Sequence, residues 1–292
     1  MHLTHWWLRT RSAVFLAAAC VPILPLPAAD AAETSLTVVT YNLRFASNTK
    51  PNAWPDRRPV MIDCVRRMDP DLMGTQEGVY EQLRELAAGL PDHTWLGQGR
   101  DGGSHGEFMA VFYRKERFDP LEYGHFWLSD TPAVVGSRTW DHTNPRMVTW
   151  VRFLDRRTQR AFYFFNTHLD HAVQAAREKG AELIAQRVAA LNTHLPILLT
   201  GDFNAASGDN RAYDILVQPD RFQDTWHLAQ SRKGEDLGTF NGFRDVPRDG
   251  RRIDWILLRG KAVVTESEVI PFRQGDQFPS DHFPVLARLR WE

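Results

Sequence analysis

The sequence carries a set of acids, amides and imidazoles placed where apolar runs end. Asn42 and Arg44 fall in Thr40-Tyr41-Asn42-Leu43-Arg44, and Glu77 ends Leu72-Met73-Gly74-Thr75-Gln76-Glu77. His168 follows Phe164-Phe165-Asn166-Thr167, and Asp202 and Asn204 follow Ile197-Leu198-Leu199-Thr200-Gly201. Asp254 begins Ile253-Asp254-Trp255-Ile256-Leu257-Leu258, while Asp281-His282 precedes Phe283-Pro284-Val285. In extended chain, residues i and i+2 face the same way. Asn42 with Arg44, and Asp202 with Asn204, are therefore expected to point into one cleft, with Leu43 and Phe203 turned into the core. Glu77, Asp202, Asn204, Asp254 and Asp281 offer hard oxygens, which suit Mg²⁺, Mn²⁺ or Ca²⁺ better than zinc. So many carboxylates would repel an anionic substrate unless a cation sat among them. Two histidines, each needing a carboxylate to fix its tautomer, would help neutralise a phosphorane-like charge. Hard metal, oriented water, amide and imidazolium together describe in-line hydrolysis of a phosphoester.

Each of these pieces alone is commonplace: Asp-x-Asn is usually a turn and Ser-Asp-His a loop or cap. Their combination and order are not. Tyr41-Asn42-Leu43-Arg44, Gln76-Glu77, Thr167-His168-Leu169, Gly201-Asp202-Phe203-Asn204, Ile253-Asp254 and Ser280-Asp281-His282-Phe283-Pro284-Val285 follow one another along the chain. In that order they resemble the endonuclease/exonuclease/phosphatase superfamily, which includes deoxyribonuclease I, exonuclease III, sphingomyelinases and inositol polyphosphate 5-phosphatases. Trp54-Pro55-Asp56-Arg57-Arg58, Gly106-Glu107-Phe108 and Gly238-Thr239-Phe240-Asn241-Gly242-Phe243 are similar to a secreted bacterial branch.

The resemblance implies an α/β fold of deoxyribonuclease I type, a four-layer α/β/β/α sandwich with its site at the rim where two sheets meet. It implies that Glu77 binds the principal metal, Mg²⁺ or Mn²⁺ with Ca²⁺ as an alternative, and that Asn42 and Asp281 help. Asp202 would orient or deprotonate the attacking water, and Asn204 would hold that water or a phosphate oxygen. His282, paired with Asp254, would sit at the scissile phosphate. His168 matches the family's second histidine, Glu107 the carboxylate that orients it, and Arg44 an arginine that contacts phosphate.

Strands and helices must bring these residues together. Alternating or apolar runs predict strands over 36–43, 72–76, 109–113, 124–128, 147–154, 161–167, 197–200, 253–258, 263–270 and 284–290. Helices are expected over 57–68, which stops before Asp69-Pro70, over 79–89, and over 173–192, where Leu183, Ile184, Val188 and Leu191 form one stripe. Polar, Gly-rich and Trp-bearing loops are expected over 48–56, 97–106, 129–146 and 237–252. No repeat or interdomain linker interrupts the series.

The 292 residues divide into 35 Lys+Arg and 36 Asp+Glu, with 43% hydrophobic residues and 2 Cys. That hydrophobicity excludes a disordered chain. The cysteine count excludes a disulfide-dense scaffold, and no CxxC…CxxC or HExxH supports zinc. A net charge of −1 gives no global basic field for holding nucleic acid. Residues 1–31 read as an export signal: Arg9 and Arg11 precede a short apolar run, and Ala29-Asp30-Ala31 offers a cleavage site. The run is too short and too rich in proline to span a bilayer. Lipidation at Cys20 is a less favoured alternative. Residues 32–292 are then one exported catalytic domain, periplasmic or extracellular, slightly acidic, expected to be a monomer, and with Cys64 as a buried small hydrophobe.

The loops suggest the substrate. Trp54, Trp140, Trp226, Phe240 and Phe243 lie among Arg57, Arg58, Arg146 and Asn241. Trp54, Arg57, Trp140, Arg146 and Asn241 are the candidate substrate contacts. Rings beside Arg and Asn suit a sugar, inositol or headgroup phosphate, and would equally stack the bases of a single strand. The first expectation is a phosphoesterase for a small or lipid-linked ester, above all a phosphodiester. A nuclease is the alternative if Arg44, Arg57, Arg58, Arg146, Arg251 and Arg252 form a basic stripe. A non-catalytic binding protein would have no need of so complete a catalytic set.

Overall fold

Side chains that alternate along short strands give this chain two buried sheet faces instead of one. The computed structural model describes residues 34–292; the expected export signal, its expected cleavage site and Cys20 lie outside the described residues. The strands are β1 (Leu36–Asn42), β2 (Leu72–Gln76), β3 (Gly78–Val79), β4 (His93–Leu96), β5 (Glu107–Phe108), β6 (Val111–Arg114), β7 (Phe118–Trp127) and β8 (Met147–Asp155). They continue with β9 (Arg160–His168), β10 (Ile197–Asp202), β11 (Gln223–Asp224), β12 (Ser231–Lys233), β13 (Asp254–Arg259), β14 (Ala262–Val269) and β15 (Val285–Trp291). The helices are α1 (Trp54–Met68), α2 (Tyr80–Ala88), α3 (Gln174–Ala190), α4 (Arg211–Leu216) and α5 (Thr225–Leu228).

One sheet runs β12-β14-β15-β1-β2-β6-β4 and the other β11-β13-β10-β9-β8-β7. Leu36 and Val38 of β1, Phe162 and Phe164 of β9, Leu198 of β10, and Ile256 and Leu258 of β13 meet in the core between the sheets. The intervening residues face outward onto helices. Val39 and Tyr41 pack with Met61, Cys64 and Val65 of α1 and Leu83 and Leu86 of α2. Tyr163, Phe165, Leu199, Trp255 and Leu257 pack with Ile184 and Val188 of α3 and Leu216 of α4. The result is the expected α/β/β/α sandwich.

Near one end the intersheet core turns polar. The Asn166 amide donates to the carbonyls of Thr75 (2.8 Å) and Ala110 (2.9 Å), and its oxygen accepts from Gln76 Nε2 (2.7 Å) and Thr200 Oγ1 (3.1 Å). Gln76 also reaches Thr40 Oγ1 at 3.2 Å. A buried amide left unsatisfied would cost several kcal/mol, so this cluster is tolerable only because Asn166 is fully bonded. Gly74 makes room for it: a Cβ there would lie 2.1 Å from Thr200 Oγ1.

Two elements begin earlier than their sequence suggests. Helix α1 starts at Trp54 because Pro55 sits in its first turn, where no hydrogen-bond donor is required, and Trp54 is thereby buried. Strand β7 starts at Phe118, its first half hidden by Pro120 and a bulge between Pro120 and Glu122. Proline is compatible there because β7 is an edge strand. Among the described residues no helix is long and apolar enough to cross a membrane.

Replacing Asn166 by leucine should cost about 3 kcal/mol of stability, since two buried carbonyls and two side chains lose their partner. Urea denaturation of the variant beside the parent measures it; a loss under about 1 kcal/mol would show the network to be dispensable.

Candidate active site

Three strands deliver the centre of the site two residues beyond that polar cluster. Thr40, Asn166 and Thr200 precede Asn42, His168 and Asp202 by one pleat on β1, β9 and β10. The parallel pairing of β9 with β10 sets Asp202 beside His168, and antiparallel β10 and β13 set Asp202 beside Asp254. Glu77 and Asn204 follow their strands with positive φ, 64° and 48°, so each leaves the sheet and turns into the cleft. Leu43 and Phe203 are buried in the outer cores.

Asn42 Nδ2 donates to Glu77 Oε1 (3.0 Å) and Asp202 Oδ2 (2.9 Å). Its own oxygen accepts the Arg44 backbone N–H at 2.9 Å. The Asn42 amide is a bridge that fixes two carboxylates across the sheets, and its oxygen, with one accepted hydrogen bond, keeps a second lone pair. Ser280 Oγ donates to the Asn42 carbonyl (2.6 Å), which tethers the Asp281-His282 segment to the same strand. Arg44 places its guanidinium 3.5 Å from Glu77 and 3.6 Å from Asp281.

The two histidines on either side of Asp202 carry different charge. His282 Nδ1 lies 3.0 Å from Asp254 Oδ2, and its Nε2 is 3.7 Å from Asp202 Oδ2. Burial alone would lower its pKa, but the charges of Asp254 and Asp202 override burial and push it up to about 10. His282 is an imidazolium. His168 is held well below the ordinary histidine range, first by burial and then by the positive charges of Arg146, His282 and Arg100. Its Nε2 lies 3.0 Å from Asn204 Nδ2 and 3.3 Å from Asp202 Oδ2. Burial and those positive neighbours favour the neutral ring of His168. Burial also raises Asp202, against the opposing charge of His282.

Glu107 requires a correction. It was expected to orient His168, yet its carboxylate accepts from Arg100 Nη1 at 2.6 Å, while His168 Nδ1 is buried without a partner. Arg100 outcompetes a neutral imidazole for the carboxylate because the pair is charge-assisted. Burial nonetheless pushes the Glu107 pKa up to about 7.

The donor set fits a hard divalent cation. Glu77, His168 and Asp202 place ligand atoms within 4.8 Å of one another. Asp254 Oδ1 is buried with no hydrogen-bond partner, and the Glu77 and Asp281 carboxylates both face one cationic group, the partly exposed Arg44 guanidinium, at 3.5 and 3.6 Å. Oxygen donors that draw a cation inward are what Mg²⁺ or Mn²⁺ requires.

Four of the loop residues expected to touch substrate do other work. Trp54 is buried and donates to Glu85 (2.6 Å). Arg57 is fully buried and donates to five carbonyls, those of Leu43, Arg44, Phe45, Asn52 and Pro279. Trp140 is buried, donates to Asp130 (2.7 Å) and stacks on His142. Asn241 binds the Ser280 carbonyl (3.2 Å) and holds its loop against the Asp281-His282 segment. Their Arg, Asn and Trp types allowed either role, and local burial decided it. Arg146 does line the cleft, together with Arg44, Glu77, Glu107, His168, Asp202, Asn204, Asp281 and His282. Phe45, Arg100, Asn144 and His171 line it too. Sequence reasoning missed Arg100. Its only signal was the Gly-rich stretch, which folds back so that the Arg100 N–H meets the Glu107 carbonyl at 2.9 Å.

Asp254→Asn removes the charge that sustains the imidazolium. In metal-free protein the parent His282 ring should stay protonated through pH 9 by NMR, whereas in the variant it should titrate near or below pH 7, about the free-histidine value. An unchanged titration would show that Asp254 is not the cause.

Residues 39–282 match the endonuclease/exonuclease/phosphatase family model. A family member from Bacteroides thetaiotaomicron is 36% identical, with a TM-score of 0.82 over 89% of this chain and 98% of that one. A mannosyl-6-phosphatase from Bacteroides thetaiotaomicron VPI-5482 is also 36% identical, with a TM-score of 0.81 over 88% of this chain and 100% of that one. The human Nocturnin catalytic domain, at 16% identity and a TM-score of 0.70 over 89% and 94% of the two chains, shares the fold. The chain belongs to the endonuclease/exonuclease/phosphatase family and is a metal-dependent phosphoric ester hydrolase.

Proposed function

We propose that this hydrolase is exported and cleaves the phosphate ester of a small, sugar-like alcohol with Mg²⁺ or Mn²⁺ in the cleft. The observation that carries this reading is the fate of the arginines. A polynucleotide needs a continuous basic track. Of the six arginines that would form one, Arg57, Arg146 and Arg252 are buried. Arg44 is paired with Glu77 and Asp281 and Arg58 with Glu85 (3.0 Å), which leaves Arg251 exposed and no continuous track among the six. The cleft that the site residues line is about 460 Å³, the size of one small ligand.

Phe240 suits such a ligand. It is 52% exposed, lines the cleft, and stands edge-on to His282 with ring centroids 5.1 Å apart. An exposed ring beside the catalytic imidazolium offers a platform for the apolar face of a leaving group. The 36% identity to a mannosyl-6-phosphatase supports a sugar in that position. The signal-like residues 1–31 support export.

The chain's own groups divide the work. Glu77 and Asp281 would hold the cation, which supplies Lewis-acid polarisation and neutralises phosphoryl charge. Asp202 accepts a proton from the attacking water, whose oxygen forms the new P–O bond. The ester P–O bond breaks on the opposite side, the departing alkoxide takes a proton from the His282 imidazolium, and the proton held by Asp202 returns to His282 across 3.7 Å. His282, kept cationic by Asp254, stabilises charge on the phosphoryl oxygens, and Asn204 fixes water or oxygen by hydrogen bond.

Chelation with EDTA should reduce hydrolysis of sugar phosphates by at least about 100-fold, and Mg²⁺ or Mn²⁺ should restore it. Phe240→Ala should raise KM about 3–10-fold with little change in kcat, the value of one ring contact. A panel of sugar phosphates, phosphodiesters and plasmid DNA decides the substrate class. Preferential cleavage of DNA with a steep salt dependence would overturn the small-ester reading.

A further inference from the structure

We propose that Arg100 and Arg146 form a subsite for the terminal oxygens of a phosphoryl group, so that the enzyme selects phosphomonoesters over phosphodiesters. The inference rests on the hydrolase reading above and specifies its substrate class.

Arg146 immediately precedes β8, is only 3% exposed, and lines the cleft. Its Nη2 meets His171 Nδ1 at 3.0 Å. Its Nε stands 3.5 Å from Asp170 Oδ2 without a hydrogen bond, and its Nη1 is buried with no partner at all. Arg100, on the facing loop, spends Nη1 on Glu107 and keeps a buried, unpartnered Nε. Buried guanidinium donors are costly to leave unmet, and two such groups lining one cleft call for an anion.

The geometry also selects which anion. Both arginines share the cleft with His168, Asn204 and His282, the groups that surround the reacting phosphorus. A monoester has three terminal oxygens and up to two negative charges, whereas a diester has two oxygens and one charge. Each guanidinium is already ion-paired, Arg100 with Glu107 and Arg146 with Asp170, and the N–H groups they leave unmet suit the additional oxygen and charge of a monoester. The Trp127 indole donates to the Arg100 carbonyl (2.7 Å) and so anchors the loop that carries Arg100. The phosphodiester preferred on sequence grounds is the ester that this cleft accommodates less well.

The test uses two esters with the same leaving group, p-nitrophenyl phosphate and methyl p-nitrophenyl phosphate, with Mg²⁺-loaded protein. The parent should favour the monoester, and Arg100→Gln should collapse the ratio of the two kcat/KM values by about 30-fold or more, the worth of a charge-assisted contact. A thermal melt verifies that the variant is folded. Independently of any variant, inorganic phosphate should inhibit the parent at least about 10-fold more strongly than dimethyl phosphate. A diester preference in the parent, an equal loss on both esters in Arg100→Gln, or equal inhibition by the two anions would overturn the inference while leaving the hydrolase reading intact. Failure of the parent to turn over either ester with metal would remove both.

Discussion

The active site stands on one buried amide. Asn166 joins β9 to β2 and β6, and through Gln76 and Thr200 it ties β1 and β10 into the same knot. Sheets packed through apolar side chains alone can slide, because dispersion is non-directional. A fully bonded amide cannot move without losing several hydrogen bonds at once. Its neighbours on the next pleat are the residues whose relative position chemistry needs fixed: Asn42, His168 and Asp202. Gly74 is part of the same constraint, since any larger residue would drive the sheets apart where the site needs them close.

From that floor upward, charge is set by who reaches whom. Two imidazoles contact the same Asp202 carboxylate at 3.3 and 3.7 Å, yet one is cationic and the other neutral. Asp254, fully buried behind His282, makes the difference on one side. On the other, Arg100 claims Glu107 and leaves His168 among positive neighbours. Environments that push a pair of equivalent groups apart give them separate roles. Here one ring is drawn towards its cationic form by Asp254 and Asp202, and the other, beside Asn204, towards its neutral form.

The layers and the centre of the site were legible in the sequence because both depend on short-range regularities. Period-two alternation in β1, β9, β10 and β13 assigns their faces, and a polar residue two places past an apolar one reads as a strand reaching the rim. What was not legible depends on partners distant in the chain. Arg57 beside an exposed Trp-Pro motif looked like a substrate contact, but Pro279, remote in sequence, supplies one of its five acceptors. For Asn42, only the fold shows that its amide bridges Glu77 and Asp202 from opposite sheets. Arg100 has no motif at all. Its position follows from a loop closing on Glu107, which no local pattern announces.

Arginine is the residue this chain spends most unusually, and that spending links stability to specificity. The cysteine among the described residues, Cys64, is free and buried, so no disulfide staples this region. Buried guanidiniums take that place. Arg57 ties α1 to the loops on both sides of the site, and Arg117 joins Asp71, Asp155 and the Ser35 carbonyl. Arg252 binds Asp224 at 2.9 Å beneath Trp226. Such contacts are little screened by salt because water is excluded from them. Each arginine used as an internal cross-link is also one withdrawn from the surface, and near-neutral composition leaves no surplus with which to build a polyanion track. Arg44, Arg100 and Arg146, by contrast, line the cleft itself, each beside a carboxylate that fixes its position.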